Sequence, residues 1–317
     1  MSNISSPIAV IGAGVWGSAL ATLLARNGNH VKIWGIVPPQ FDHHPDNIDV
    51  CDNLESCLKD VNDILIVVPS HAFRQVLQEI KMLNTKPNIV WATKGLDPET
   101  CQLLHEVVEE ILPGIHYAVI SGPSFAKEVA NDIPTAVSVA GNNTEFVNDV
   151  VERFHNHHFR VYVNDDLKGI QLCGAVKNVL AIAVGMADGL KFGANTRAAL
   201  ITRGLAEMSR LCEAVGADPR TLMSLAGVGD LVLTCTDNQS RNRRFGLLMG
   251  EGCSVEDAKN KIGQAVEGLD NVSQVYRLAQ QYELQMPITE QVNNILYKGC
   301  DAKVAVQELL ERSPKSE

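Results

Sequence analysis

No histidine lies beyond residue 158 of this 317-residue chain; the nine present, at 30, 43, 44, 71, 105, 116, 155, 157 and 158, all fall in its first half. Any acid or base supplied by the second half must come from another residue type. A C-x-x-C pair is missing too, the eight cysteines being scattered at 51, 57, 101, 173, 212, 235, 253 and 300. In a chain too long to need staples, that spacing predicts free thiols in a reducing cytoplasm. Basic charge is in deficit, with a formal net charge of −10, which argues against a general nucleic-acid or membrane binder. The opening "MSNISSPIAVIGAG" lacks the basic n-region of a signal peptide. Uninterrupted apolar runs of about 18 residues are also absent. The longest apolar stretch, 169–190, carries Lys177 and Asn178 in its middle and reads as a buried helix with no membrane span.

The first half alternates two kinds of segment. Strands are expected at 8–14, 30–35, 63–70, 88–95, 116–124, 135–141 and 159–165, several of them continuous apolar runs, as when helices cover both faces of a parallel sheet. Helical period appears between them at 16–28, 72–83, 98–111 and 144–154. This is the alternation of an α/β, doubly wound, mostly parallel sheet of Rossmann type. After residue 166 the strand signals stop, and helices are expected at 167–190, 195–215, 240–250, 267–282, 287–298 and 301–311. Pro287 fits a first-turn proline and Gly216 a helix stop. The expectation is a dinucleotide-binding domain over 1–166 and an all-helical substrate and catalytic domain over 167–317, with "RSPKSE" as a frayed tail.

Four stretches carry chemistry. "VIGAGVWGSAL" spaces Gly12, Gly14 and Gly17 as G-x-G-x-x-G between a strand and a helix, a pattern whose turn lets a pyrophosphate approach the backbone. The second strand ends "IWGIV", with neither the acid that holds a ribose 2′-hydroxyl nor an arginine for a 2′-phosphate, so NADH and NADPH both stay open. Lys94 in "WATKG" and Gly122, Ser124 and Ala126 in "SGPSFAKE" fall at strand ends, where ligands lie in open α/β sheets. Ser124 and Glu128 equally fit a helix cap.

The other two lie in the helical half. Lys177 stands alone in an apolar helix, where an unpaired ammonium is costly unless it has a task such as protonating a carbonyl. Asn178 beside it is expected to orient the group. Asp230, in the glycine-rich "AGVGDLVLT", is the expected counter-ion. "SRNRR" then puts Arg241, Arg243 and Arg244 within four residues. In an acidic chain such a cluster marks a local anion site whose ligand these residues leave open, and since the three cannot all point one way on a helix, Arg243 and Arg244 are assigned to carboxylates or the surface. Cys235 beside them fits either a reactive or a packed thiol. "HNHHF" at 155–159 has no nearby cysteine or paired carboxylate, so no metal is expected there.

Taken together, "GAGVWG", "WATKGL", "ISGPSFAKE", "GAVKNVLAI", "AGVGDLVLTCTDNQSRNRRFG" and "AVEG" resemble the bacterial NAD(P)-dependent glycerol-3-phosphate dehydrogenases from about residue 7 to 311. The resemblance implies reduction of dihydroxyacetone phosphate to sn-glycerol 3-phosphate, a small phosphate substrate feeding phospholipid synthesis, with NADPH or NADH, NADPH being preferred. It implies Lys177 as proton donor, and Gly12, Gly14, Trp16, Gly17, Lys94, Ala126, Arg241 and Glu267 at the cofactor. The substrate would touch Lys94, Gly122, Ser124, Lys177, Asp230, Ser240, Arg241 and Asn242. A homodimer is held open. One departure stands out: Ile36 and Val37 occupy the place of the arginine or histidine usual in the family, and the segment after them is short. The competing reading is a related dehydrogenase of a sugar acid or 2-hydroxy acid, which would set the guanidinium on a carboxylate.

Overall fold

The computed structural model describes residues 6–41, 45–83 and 86–310. The expected tail at 312–317, the last residue of the helix expected over 301–311, and His43 and His44 lie outside the described residues. The strands are β1 (Ile8–Ile11), β2 (Val31–Trp34), β3 (Ile48–Val50), β4 (Asp63–Ile66), β5 (Asn88–Trp91), β6 (Tyr117–Ser121), β7 (Thr135–Gly141) and β8 (Phe159–Val163). They form one sheet in the order β3-β2-β1-β4-β5-β6-β7-β8. Every neighbouring pair is parallel except β6–β7. β1, β4 and β6 are buried along their whole length, which is why they read as unbroken apolar runs. The acid in β4, Asp63, tolerates this because Arg153 donates to it at 2.6 Å. The chain builds outward from β1 through β2 to β3, then returns to β4 on β1's other side. That reversal opens a crevice at the carboxyl ends of β1 and β4.

The sheet half carries α1 (Val15–Arg26), α2 (Leu54–Leu58), α3 (Ser70–Met82), α4 (Leu104–Ile111), α5 (Ala126–Ala130) and α6 (Thr144–Phe154). Then come α7 (Leu167–Gly189), α8 (Gly193–Val215), α9 (Asp230–Thr236), α10 (Arg241–Gly250), α11 (Val255–Ile262), α12 (Glu267–Gln281), α13 (Pro287–Lys298) and α14 (Ala302–Leu310). Pro287 opens α13, and Gly216 closes α8 with φ 73°. β3, α2, α9 and α11 fall outside the expected segments. The first three span only three to seven residues, too short for a period to show. α11 is framed by a Ser254 cap and a left-handed Gly263, signals available in the sequence. α4 starts six residues later than the expected 98, because the Asp97 carboxylate accepts from the backbone N–H groups of Glu99 and Thr100 and holds a turn there.

α7 is long and apolar enough to cross a membrane by length and composition alone, yet 94% of its most apolar window is buried inside the protein. Its glycines explain how. A Cβ on Gly185 would meet the Arg243 carbonyl oxygen at 2.1 Å, and one on Gly189 the Leu247 oxygen at 2.3 Å. From the other side, a Cβ on Gly246 would meet the Ile182 oxygen at 2.1 Å, and one on Gly250 the Met186 oxygen at 2.2 Å. The two backbones therefore touch, advancing in step from Ile182 against Gly246 to Met186 against Gly250. Only glycine permits that approach. This contact brings the start of α10, with Ser240 and Arg241, alongside the middle of α7, where Lys177 sits. Gly246→Ala should destabilise the protein by about 1–3 kcal/mol through overpacking, read as a lowered midpoint in chemical denaturation. An unchanged midpoint would contradict the backbone contact.

Candidate active site

The turn from β1 into α1 is shaped for an anion. Gly12 has φ 111°, and a Cβ there would meet the Val67 carbonyl oxygen at 2.4 Å. A Cβ on Gly17 would strike the Gly12 oxygen at 1.7 Å, so helix and turn pack through bare backbone. Gly14 is different, since a Cβ there would meet nothing within 4 Å. It is the N-cap of α1 and has no side-chain capping bond, which leaves the first N–H groups of the helix facing open space. Orphan donors at the positive end of a helix dipole suit a pyrophosphate. Trp16, in the first turn, packs half-buried against the core beneath.

Across the crevice lies a cluster of three charged side chains, Lys94, Asp230 and Lys177. Asp230, at the start of α9, is 1% exposed. Its Oδ1 accepts from Lys177 Nζ at 2.8 Å and its Oδ2 from Lys94 Nζ at 2.8 Å. Lys177 comes from the middle of α7 and Lys94 from the loop after β5, so one carboxylate joins the two halves of the chain. Lys177 Nζ also donates to Thr234 Oγ1 at 2.8 Å, one turn beyond Asp230 on α9. Burial alone would keep Asp230 protonated, but the two ammonium groups hold its carboxyl below the usual range. Two lysines sharing one carboxylate leave an excess positive charge, so one of them must give up its proton more easily. That is Lys177. Burial and then the Lys94 charge bring it down to about 8 against the pull of Asp230. Desolvation opposes the charge on the half-buried Lys94 too, yet the attraction of Asp230 and of Glu267 carries its pKa above the ordinary lysine value.

Arg241 begins α10 beside this cluster. Its guanidinium is about one-third exposed, and the carboxylate nearest to it, Glu267 Oε1, is 3.9 Å away. It therefore keeps its fork available. Ser240 caps α10, accepting from Arg243 N at 3.2 Å. Asn242 is buried: its Nδ2 donates to Asn178 Oδ1 at 2.8 Å, and its Oδ1 accepts from Gly268 N at 2.9 Å. One N–H of its amide is left for a ligand. Arg243 forms an ion pair with Asp188 at 2.5 Å and donates to the Cys235 carbonyl at 3.0 Å, the structural role expected of it. Arg244 is half-buried, with its Nε in no hydrogen bond. Cys235 is fully buried and its thiol is pushed up to about 12 by that burial, so the packed reading holds.

The strand-end residues are arranged more simply. Lys94 Nζ approaches the Gly122 carbonyl at 3.5 Å, and the Ser124 hydroxyl donates to that same oxygen at 3.0 Å. The expected cap by Ser124 is not made: the N-cap of α5 is Phe125, Ala126 is the first helical residue, and Glu128 accepts instead from Gln239 across the crevice at 2.7 Å. Of the polar helix end at 155–159, His155 accepts from Val161 N and His158 pairs with Asp132. Among the described residues no cluster of three or more histidine, cysteine, aspartate or glutamate side chains could hold a metal.

Two features escaped the sequence reading. Thr234 completes the environment of Lys177, and its spacing of four from Asp230 on one helix was the available signal. Asn178 does not orient Lys177. It belongs to an amide relay in which Asn178 Nδ2 donates to Asn271 Oδ1, Asn271 Nδ2 to Gln274 Oε1, and Gln274 Nε2 to Ser70 Oγ. With Asn242 at one end and Ser70 of α3 at the other, the relay ties the start of α10 to the sheet half.

Residues 7–147 match the family model for the N-terminus of NAD-dependent glycerol-3-phosphate dehydrogenase, and residues 166–307 match the model for its C-terminus. The chain is 52% identical over 333 residues to the glycerol-3-phosphate dehydrogenase [NAD(P)+] of Coxiella burnetii, covering 100% of both chains. It is 51% identical over 335 residues to that of Klebsiella pneumoniae, covering 100% of this chain and 99% of the relative. The crystal structure of the Coxiella burnetii enzyme superposes with a TM-score of 0.93, covering 97% of this chain and 99% of that one. The Saccharomyces cerevisiae enzyme, at 25% identity, covers 97% of this chain and 99% of that one with a TM-score of 0.82. A ketopantoate reductase at 14% identity and TM-score 0.60 shares the fold. With both family models matched in order and relatives identical at half of all positions end to end, the chain belongs to the NAD-dependent glycerol-3-phosphate dehydrogenase family.

Proposed function

We propose that the protein reduces dihydroxyacetone phosphate to sn-glycerol 3-phosphate, reversibly, in the cytoplasm, and so supplies the backbone of glycerophospholipids. The observation that carries this is the Lys94–Asp230–Lys177 cluster set between an uncapped glycine turn and a partly exposed Arg241 that only a long contact with Glu267 engages. A dinucleotide-binding unit over 1–166 and a substrate unit over 167–317 meet at that cluster. Eight unpaired cysteines suit a reducing compartment. Two copies are taken as the assembly, which sedimentation checks. The 2-hydroxy-acid alternative is not favoured by relatives that match the whole chain and are named for a phosphate substrate.

The turn at Gly12, Gly14 and Gly17, with Trp16, Ala126 and Glu267, would hold NADH or NADPH, which supplies the hydride when bound. Charge then grows on the C2 carbonyl oxygen, and the chain's task is to neutralise it. Lys177 is the donor within the crevice whose proton is easiest to give, and in the oxidative direction its neutral amine takes the proton back. Asp230 keeps Lys94 charged and aims both ammonium groups, while Thr234 fixes the Lys177 rotamer. Arg241 clamps the phosphate dianion, with Ser240, Asn242 and Lys94 as further donors and Gly122 and Ser124 lining the substrate.

Four outcomes test this. Lys177→Met should lower kcat by about 10²–10⁴, the usual range for a positioned acid, with dinucleotide affinity little changed. In the parent enzyme, kcat/KM for ketone reduction should fall as pH rises through about 8, where Lys177 loses its proton, and kcat/KM for alcohol oxidation should rise through the same pH. A folded, cofactor-binding Lys177→Met enzyme near the parent rate would refute the assignment. For Arg241, neither Arg241→Ala nor Arg241→Lys should preserve selection of the phosphorylated ketone over dihydroxyacetone, at a cost of roughly 1.5–3 kcal/mol in substrate binding. Unchanged discrimination would remove Arg241 from the phosphate. Stability should respond asymmetrically within the cluster. Asp230→Asn strands two buried ammonium groups and should cost about 3–5 kcal/mol, whereas Lys177→Met leaves a balanced Lys94–Asp230 pair and should be close to neutral. Equal losses in the two variants would contradict the shared-carboxylate arrangement.

A further inference from the structure

The two halves of the chain are fastened unequally on either side of the Lys94–Asp230–Lys177 cluster. On the α12 side the bonds are several. Arg277 donates to the carbonyls of Pro98 and Glu99 at 2.7 and 2.6 Å, and Leu96 N donates to Gln274 Oε1 at 3.1 Å. Gln274 Nε2 reaches Ser70, and His71 meets Asp270 at 3.0 Å. The turn that leads into α10 is different. Among the described residues, its stretch 237–240 makes one hydrogen bond to the sheet half, from Gln239 Nε2 to Glu128 Oε1 at 2.7 Å.

Both ends of that bond adjoin residues assigned to the site. Gln239 directly precedes Ser240, the cap of α10, and Arg241, its first residue. Glu128 follows Ser124 and Ala126 on the segment from β6 into α5. Each is otherwise anchored within its own half. Asp237 closes the turn, its Oδ1 accepting from Gln239 N and its carbonyl from Ser240 N. α5 is held to α1 by Arg26, which donates to the Ala130 carbonyl at 2.8 Å. As an acid in the first turn of α5, Glu128 has favourable use at the start of its own helix. It reaches across to the exposed Gln239 instead. By charge alone that placement is adverse, because a carboxylate close to Arg241 opposes an incoming phosphate dianion. Its physical use there is to fasten the turn.

We propose that Glu128 and Gln239 are positioning residues that form a latch: their bond holds the turn before α10 against α5, so that Arg241 meets the substrate phosphate already in place. This rests on the dehydrogenase reading above. The test compares the parent with Glu128→Ala, Gln239→Ala, the double variant and Glu128→Gln. Each alanine variant should raise KM for dihydroxyacetone phosphate about three- to tenfold, the range of one hydrogen bond, with kcat unchanged. For unphosphorylated dihydroxyacetone, kcat/KM should stay at the parent value. The double variant should match the single ones, since all three lose the same bond. Glu128→Gln keeps an acceptor oxygen and should behave as the parent. Charge alone predicts the opposite sign, a lower KM once the acid is gone. A KM that is unchanged or lowered in Glu128→Ala, an equal change with the unphosphorylated ketone, or additive losses in the double variant overturns the proposal. Hydrogen–deuterium exchange of the ligand-free proteins is followed in parallel. Glu128→Ala should speed exchange across 237–242, and Gln239→Ala across 124–130; unchanged exchange in both also overturns the latch. A parent protein that does not turn over dihydroxyacetone phosphate sinks the dehydrogenase reading, and the exchange result then decides the latch by itself.

Discussion

One buried carboxylate organises this protein. Asp230 is held between an ammonium group from the sheet half and one from the helical half, so a contact that joins the two halves also sets the charge balance of the crevice. Two positive charges on one negative charge in a dry setting cannot both be equally comfortable. The more deeply buried lysine yields its proton more easily, and it lies on α7, whose most apolar window is 94% buried. An ammonium group tuned toward neutral pH thus follows from an imbalance of charge and requires no histidine.

The rest of the architecture keeps that imbalance in place. α7 is buried on all sides, and its backbone meets α10 directly through glycines on both helices, so Arg241 starts a helix whose position is dictated by the one carrying Lys177. The amide relay from Asn242 to Ser70 uses neutral groups to cross from the helical half to the sheet, adding direction without adding charge near the cluster. At the opposite side of the crevice, the uncapped start of α1 supplies positive potential from backbone alone.

Much of this was legible in the residues. The sheet half showed because strands buried on both faces are continuous apolar runs, and Lys177 showed because an ammonium in such a run demands a partner. Asp230 was identifiable as that partner from its glycine-rich turn. What could not be read was that Asp230 serves Lys94 as well, since the two are 136 positions apart and meet only through tertiary packing. The same holds for Asn178, whose place next to Lys177 in sequence suggested an orienting role that the helix geometry gives to Thr234 instead. Ser124 carried the signature of a helix cap, but the backbone turned one residue later and its hydroxyl went to Gly122. Local signals survived wherever burial and period decided the outcome, and failed where a long-range partner competed for the same polar atom.

Within the cluster, Lys177 is the group that titrates first. Nitrogen-15 NMR of the lysine side chains, with Lys177→Met to assign the signal, measures this without substrate or turnover. The arrangement predicts one lysine titrating at about 8 that vanishes in the variant. If Lys177 instead titrated at or above the ordinary lysine value of 10.5, Asp230 would serve only as a counter-ion, and the proton would have to come from another group.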